Sequence, residues 1–340
     1  METPATDRAA DAPAPPGTWA RAWRWTRIAL ALALLAGLVW VARPEQLWRQ
    51  LCAARYLWTL AALPFAFAGT MADAVRLYWL MRPVGWRGGF GSVAKTNLVV
   101  NAVSIFLPGT IGGGAVAWFR LSAPDGLRAQ TAVALSLNAV LKFTAVCGVS
   151  AAALALDAGA AGESRGWVAP LALMAALPLA ALMAMLYTPL ATRLREFHSA
   201  RLARRMPARL HEVGRKLLES FERYRAAPGA TLAALGAGVC RLALVNVASL
   251  FCVWAVGIDM PYLRVLWITG AMEVAGMMPF TLAGWGLPQV TYVGLMGLCG
   301  VAADQALASH VLSWVACMPI YLAGAGALMA ESVRKPTTPS

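Results

Sequence analysis

The sequence predicts an all-α polytopic membrane protein built as an inverted-topology repeat with two re-entrant, broken-helix hairpins. Three observations lead there. The 340 residues are 59% hydrophobic and 13% charged, with mean hydropathy +0.61, whereas a soluble domain carries about 25% charged residues. Two apolar stretches are broken by proline and glycine in the same pattern, LPGTIGGG at 107–114 and MPFTLAGWG at 278–286. The basic residues behind the formal charge of +13 gather between apolar runs. That placement fits topology signals and anionic lipid, and no nucleic-acid partner is expected.

The breaks correspond residue by residue. Pro108 matches Pro279, Thr110 matches Thr281, Ile111 matches Leu282 and Gly113 matches Gly284, at a constant offset of 171 residues. Proline removes a backbone donor and clashes with the preceding turn, and glycine adds no side chain. In bulk lipid such a break would leave bare amides and carbonyls, each costing several kcal/mol. It is tolerated where it is buried in protein or faces a polar cavity, and two broken helices at matched places point to a site at the membrane midplane. Gly109, Gly112 and Gly286 belong to the same two stretches. The glycines serve equally well for close helix packing.

In chain order, residues 1–24 are rich in Ala and Pro and read as a disordered N-terminal segment. A transmembrane domain over 25–330 follows. Arg21, Arg24 and Arg27 alternate with Trp19, Trp23 and Trp25 as an interfacial anchor, and 28–42 is the first helix. A signal peptide fits less well, because the polar lead is long and no small-x-small cleavage site follows. The next helix, 56–81, carries Asp73 and Arg76 on one face, a candidate ion pair. The run 92–107 is short for a span of about 20 residues; it holds Lys95, Asn97 and Asn101, and after the break a second short run ends at Phe119 and Arg120. Residues 129–156 span with Lys142 near their middle, the loop 157–166 is net negative, and 167–189 span again. The loop 190–228 has ten basic residues against four Glu. Its Leu210, Val213, Leu217 and Phe221 suit either an amphipathic helix on an anionic leaflet or a solvated connector. Residues 231–257 span with Arg241 inside, 263–279 hold Glu273, 289–301 follow the second break, and 305–330 hold His310. A short tail, 331–340, closes the chain.

Placing the basic loop 190–228 in the cytoplasm puts both termini there and the negative loop 157–166 outside. One hairpin then dips from the cytoplasm and the other from the outer face. Repeat one (56–156) becomes repeat two (231–330) turned over in the membrane. Only the loop 43–55 disagrees, with Arg43, Arg49 and Arg55 on the outside.

Ionisable residues inside membrane helices mark function by default. Lys142 and Arg241 lie deep in spans, where a cation costs at least about 2.5–3.5 kcal/mol on insertion scales. Asp73 and Glu273 are the available ion-pair partners, and a lipid phosphate is the other way to offset that cost. With free amides at the hairpin tips, the candidate substrate-binding set is Asn101, Pro108, Gly109, Thr110, Gly112, Gly113, Arg120, Lys142, Arg241, Glu273, Pro279, Thr281, Gly284 and Gly286. Lys95 is a further cation for the same cavity. His310 reads as a satisfied core histidine. The six cysteines form no CxxC and no His cluster accompanies them, so they read as packing residues, and neither a metal nor another cofactor is expected. No GxSG with a paired His, no HExxH and no metal-binding acidic cluster supports an enzyme.

The stretch LPGTIGG after Asn101, the later PFTLAGWG and the following Gly300-Val-x3-Gln-Ala306 resemble the lysylphosphatidylglycerol synthase transmembrane (flippase-like) family over about residues 25–330. The resemblance implies a helical bundle that moves or handles phospholipids, often aminoacylated or glycosylated. Family members that make the lipid carry a soluble aminoacyl-transfer domain after the membrane part, and this chain, ending at residue 340, is expected to lack it. The family's first pattern continues with an acid and then an Arg, where Gly114 and Ala117 stand here, with Arg120 one turn on. Its second pattern ends with Val-Arg-Glu after the last glycine, where Leu287-Pro288-Gln289 stand. The expectation is therefore a divergent inner-membrane lipid translocator or lipid-binding protein. The alternative is a non-transporting partner of a lipid or glycan synthase, docking through 190–228. A homo-oligomer fits either reading.

Overall fold

A computed structural model describes residues 36–37, 40–41, 43–105, 109–122, 127–157, 166–187, 215, 219–277 and 286–334. Pro108, Pro279, Thr281 and Gly284 lie outside the described residues, as do the N-terminal segment 1–24, most of the predicted first span and most of the loop 190–228. Among the described residues every regular element is helical. The longer helices are α1 (Pro44–Ala53), α2 (Tyr56–Met81), α3 (Phe90–Ser104), α4 (Gly109–Ser122), α5 (Arg128–Leu156), α6 (Val168–Tyr187), α7 (Pro228–Ala255), α8 (Tyr262–Gly276), α9 (Leu287–Leu298) and α10 (Ala303–Arg334).

Length sorts these helices. Four of them, α2, α5, α7 and α10, are long and apolar enough to cross a membrane. By contrast α3, α4, α8 and α9 have 15, 14, 15 and 12 residues. At 1.5 Å per residue they are at most about 23 Å long, short of a hydrocarbon core of about 30 Å. Both breaks therefore separate two short helices, as the sequence predicts. The chain is an all-α polytopic membrane protein.

The helix contacts fall into matched pairs. α2 and α7 share the most extensive contact, and they run antiparallel: Trp58 meets Trp254 (5.3 Å) at one end, Gly69 faces Val245 midway, and Gly238 faces the stem of Arg76 towards the other end. Around that pair, α3 lies on α10 as α8 lies on α5, α4 lies on α5 as α9 lies on α10, and α1 flanks α10 as α6 flanks α5. α3 runs back along α2, with Phe90 against Tyr78 (5.9 Å) and then Asn97 Nδ2 donating to the Thr70 carbonyl (3.0 Å), and α8 runs back along α7, with Thr269 bonded to Asn246 and then Glu273 to Arg241. The corresponding helices α3 and α8 thus point in opposite directions, the signature of an inverted repeat.

Glycine sets the closest crossings. A Cβ at Gly270 on α8 would overlap Ser150 of α5, and one at Gly324 on α10 would overlap the Leu98 carbonyl of α3. Both matched crossings between the halves, α8 on α5 and α3 on α10, are thus closed at a glycine. Small residues that let backbones approach are the usual means of packing helices in lipid.

The stretch 219–226 is helical and docks on the end of α2. The buried Tyr224 donates to the Leu80 carbonyl (2.5 Å), Arg223 donates to the Val84 carbonyl (2.9 Å), and Phe221 packs against the same cluster. Phe221 therefore faces protein at this end of the 190–228 stretch.

Candidate functional site

Five ionisable side chains converge where α2 crosses α7. Arg241 of α7 reaches Glu273 of α8, its Nη1 lying 3.2 and 3.1 Å from the two carboxylate oxygens. Arg241 Nε is also 3.8 Å from Asp73 Oδ1 on α2. Asp73 pairs with Arg76 one turn later, and Arg76 Nε donates to Asn138 Oδ1 of α5 (2.7 Å). Lys142 follows Asn138 by one turn on α5, on the same face. Three cations thus face two carboxylates, a formal charge of +1.

Each charge has a helix that places it. Arg76 is 2% exposed, and Gly238 on α7 leaves room for its aliphatic stem. A cation that deep is held by its carboxylate and by the Asn138 amide together, since an unpaired buried charge costs several kcal/mol. Lys142 differs from both arginines: no carboxylate of the described residues lies within ion-pair distance of its Nζ.

Two cavities meet at this cluster. One, about 270 Å³, is lined by Thr70, Thr269, Tyr292, His310 and Ser313 among others. The other, about 660 Å³, is lined by Arg76, Asn97, Ser104, Gly113, Gly114 and Asn138 among others. Asp73, Asn101 and Lys142 line both. On α2 the first cavity takes residues 66, 70 and 73, and the second takes 73, 76 and 77. The cavities are therefore stacked along α2, one towards each end of the bundle, with Asp73 at the division.

The candidate residues divide accordingly. Asn101, Lys142 and Arg241 are brought together in the first cavity, Glu273 through its pair with Arg241, and Gly113 through the wall of the second. Gly112 lies in α4 without lining either cavity, and Gly109 and Thr110 open that helix. Gly286 is buried, holds φ 103° and starts α9, with its amide donating to Gln289 Oε1 (2.7 Å). It serves a turn at the start of that helix.

Arg120 and Lys95 stand apart from the cluster. Arg120 makes two bonds to Glu331 of α10 (2.7 and 2.8 Å) and Lys95 a third (2.7 Å), and neither cation lines either cavity. The reason is helical rise. Arg120 is seven residues past Gly113, or about 10 Å along α4. His310 is buried as expected, but it also faces the first cavity, with Trp314 Nε1 donating to its Nε2 (3.2 Å).

Some residues escaped the sequence reading. Asp157, read as a loop charge, is 5% exposed and binds Arg264 of α8 through two bonds (2.9 and 3.0 Å), with Trp267 Nε1 donating a third (3.1 Å). Asn138, four residues before Lys142, carried the one usable signal, its spacing. Nothing marked Asn246 and Thr269, which bond to each other across α7 and α8.

No curated protein matches the chain. The model of the lysylphosphatidylglycerol synthase TM region matches residues 28–324. This match embraces both broken stretches, the charged cluster and both cavities. The chain is a membrane protein of the lysylphosphatidylglycerol synthase transmembrane-region family.

Proposed function

We propose that this protein translocates an anionic phospholipid, with the headgroup passing through the charged cluster between the two cavities. The observation that carries the reading is Lys142, a cation that opens on both cavities without a carboxylate partner among the described residues. An ammonium group inside a membrane span with no carboxylate in ion-pair contact is expensive, and a lipid phosphate is a partner of the right charge. Asn97, Asn101 and Asn138 add polar contacts on the side of the larger cavity. The chemistry is binding and release, with no covalent step.

The two short-helix pairs enter as re-entrant hairpins from opposite leaflets in this reading. What supports it is their length and the opposed directions of α3 and α8. The basic loop 190–228 lies on the cytoplasmic side with both termini and contacts the anionic leaflet. Each cavity then serves one leaflet, as alternating access requires.

The test is reconstitution of the full chain in vesicles with a headgroup-labelled anionic phospholipid in one leaflet. Protein-dependent movement, faster for the anionic lipid than for a zwitterionic one, is expected. No movement above protein-free vesicles would reject the proposal.

A further inference from the structure

An apolar groove adjoins the larger charged cavity. It has a volume of about 400 Å³ and runs between α6, α8 and α9, lined by Leu171, Met174, Ala271, Ala275, Thr291 and Leu295 among others. Among the described residues that line it none is charged, and Thr291 supplies the only hydroxyl. Its size falls in the range of ligand sites. The outer rim is open: Trp167 and Leu298 both line the groove and are exposed.

The groove continues a wall of the charged cavity. Pro178 of α6 and Gly276 and Met277 at the end of α8 line the cavity that holds Lys142. Met174, one turn before Pro178, and Ala275, next to Gly276, line the groove. On both helices the lining passes from one space to the other within a turn. A polar chamber with a spare cation thus leads, along two shared walls, into an uncharged channel that opens on the side of the bundle. That sequence of environments matches an amphiphile with an anionic head and a hydrocarbon chain.

We infer that this groove is an acyl-chain site. It holds a hydrocarbon chain of a glycerophospholipid while that lipid's phosphate sits at Lys142. The inference rests on the lipid reading above and adds the path of the chain: the tail leaves between α6 and α8–α9, so the headgroup alone enters the charged space. Burying methylenes there contributes favourably per group, and Met174 supplies a side chain that adapts to an irregular occupant.

The test uses the full chain in vesicles of mixed phosphatidylglycerol and phosphatidylcholine. They contain a trace of phosphatidylglycerol with a photoactivatable diazirine midway along one acyl chain. Adducts are mapped by peptide mass spectrometry. Labelling of the α6, α8 and α9 groove residues at least about fivefold above the exposed faces at Leu57 and Leu322 is expected. Ala271→Trp, or Thr291→Trp should the first variant fail to fold, removes that excess. Lys142→Gln lowers groove labelling by the anionic probe but leaves that by a diacylglycerol probe unchanged. Uniform labelling of all lipid-facing helices would overturn the inference. Groove labelling without translocation would defeat the transport reading alone. Translocation without groove labelling would defeat this inference alone.

Discussion

Asp73 stands between two arginines, bonded to Arg76 of its own helix and 3.8 Å from Arg241 Nε of the antiparallel α7. It lines both cavities at their division along α2. Asp73→Asn leaves Arg76 buried without a carboxylate. Removing one partner of a buried pair costs about 3–5 kcal/mol. A fall in thermal unfolding temperature in detergent is expected, with partial recovery in Asp73→Asn/Arg76→Met. Unchanged melting of the single variant would show that Arg76 is held by Asn138 alone.

Glu273 neutralises Arg241. Glu273→Gln takes the formal charge of the cluster from +1 to +2. Anionic lipid retained through purification should rise, with affinity about tenfold tighter, or about 1.4 kcal/mol, while translocation slows because release slows. Quantitative lipid mass spectrometry checks it, and a fall in bound anionic lipid would be the wrong sign.

Gly113 and Gly114 separate packing from access. A Cβ at Gly113 would sit 2.6 Å from Ser104 Oγ and 3.2 Å from Val100, whereas one at Gly114 meets nothing within 4 Å. Gly113→Leu should cost about 1–3 kcal/mol by overpacking the α3–α4 contact. Gly114→Leu should melt like the parent and still slow transport by narrowing the larger cavity. Equal stability of the two variants would contradict the assignment.

The Asp157–Arg264 pair and the Glu331 triad occupy matched places, each tying the last helix of one half to the first short helix of the other. They lie at opposite ends of the bundle. Cys252 and Cys317 line the smaller cavity, on the Asp157 side. Asp157→Asn should raise their reaction rate with a water-soluble maleimide severalfold, and Glu331→Gln should not. Similar rates in both variants would mean that the pairs do not close separate ends.

Much of this was legible in the sequence because lipid makes charge conspicuous. Lys142, Arg241 and Glu273 stand alone in apolar runs, and the structure joins two of them directly. The short helices were legible from Pro108 and Pro279, since proline and glycine interrupt helices wherever they fall. The partners were harder to see. Asp157 and Glu331 lie at helix ends, where a carboxylate in sequence looks like any loop charge, and only the approach of α8 to α5, and of α3 and α4 to α10, supplies their cations. Arg120 shows the opposite: close to the first break in sequence, it is two turns away along α4 and pairs with Glu331. The apolar groove left no trace, because its residues come from several helices and resemble ordinary core.

The most direct measurement is the rate of anionic phospholipid translocation in vesicles by the parent chain, Lys142→Arg and Lys142→Ala, all matched for folded protein. The account predicts that Lys142→Arg retains the rate and Lys142→Ala loses at least about tenfold, equivalent to about 1.4 kcal/mol in the barrier. Translocation by Lys142→Ala at the parent rate would contradict it.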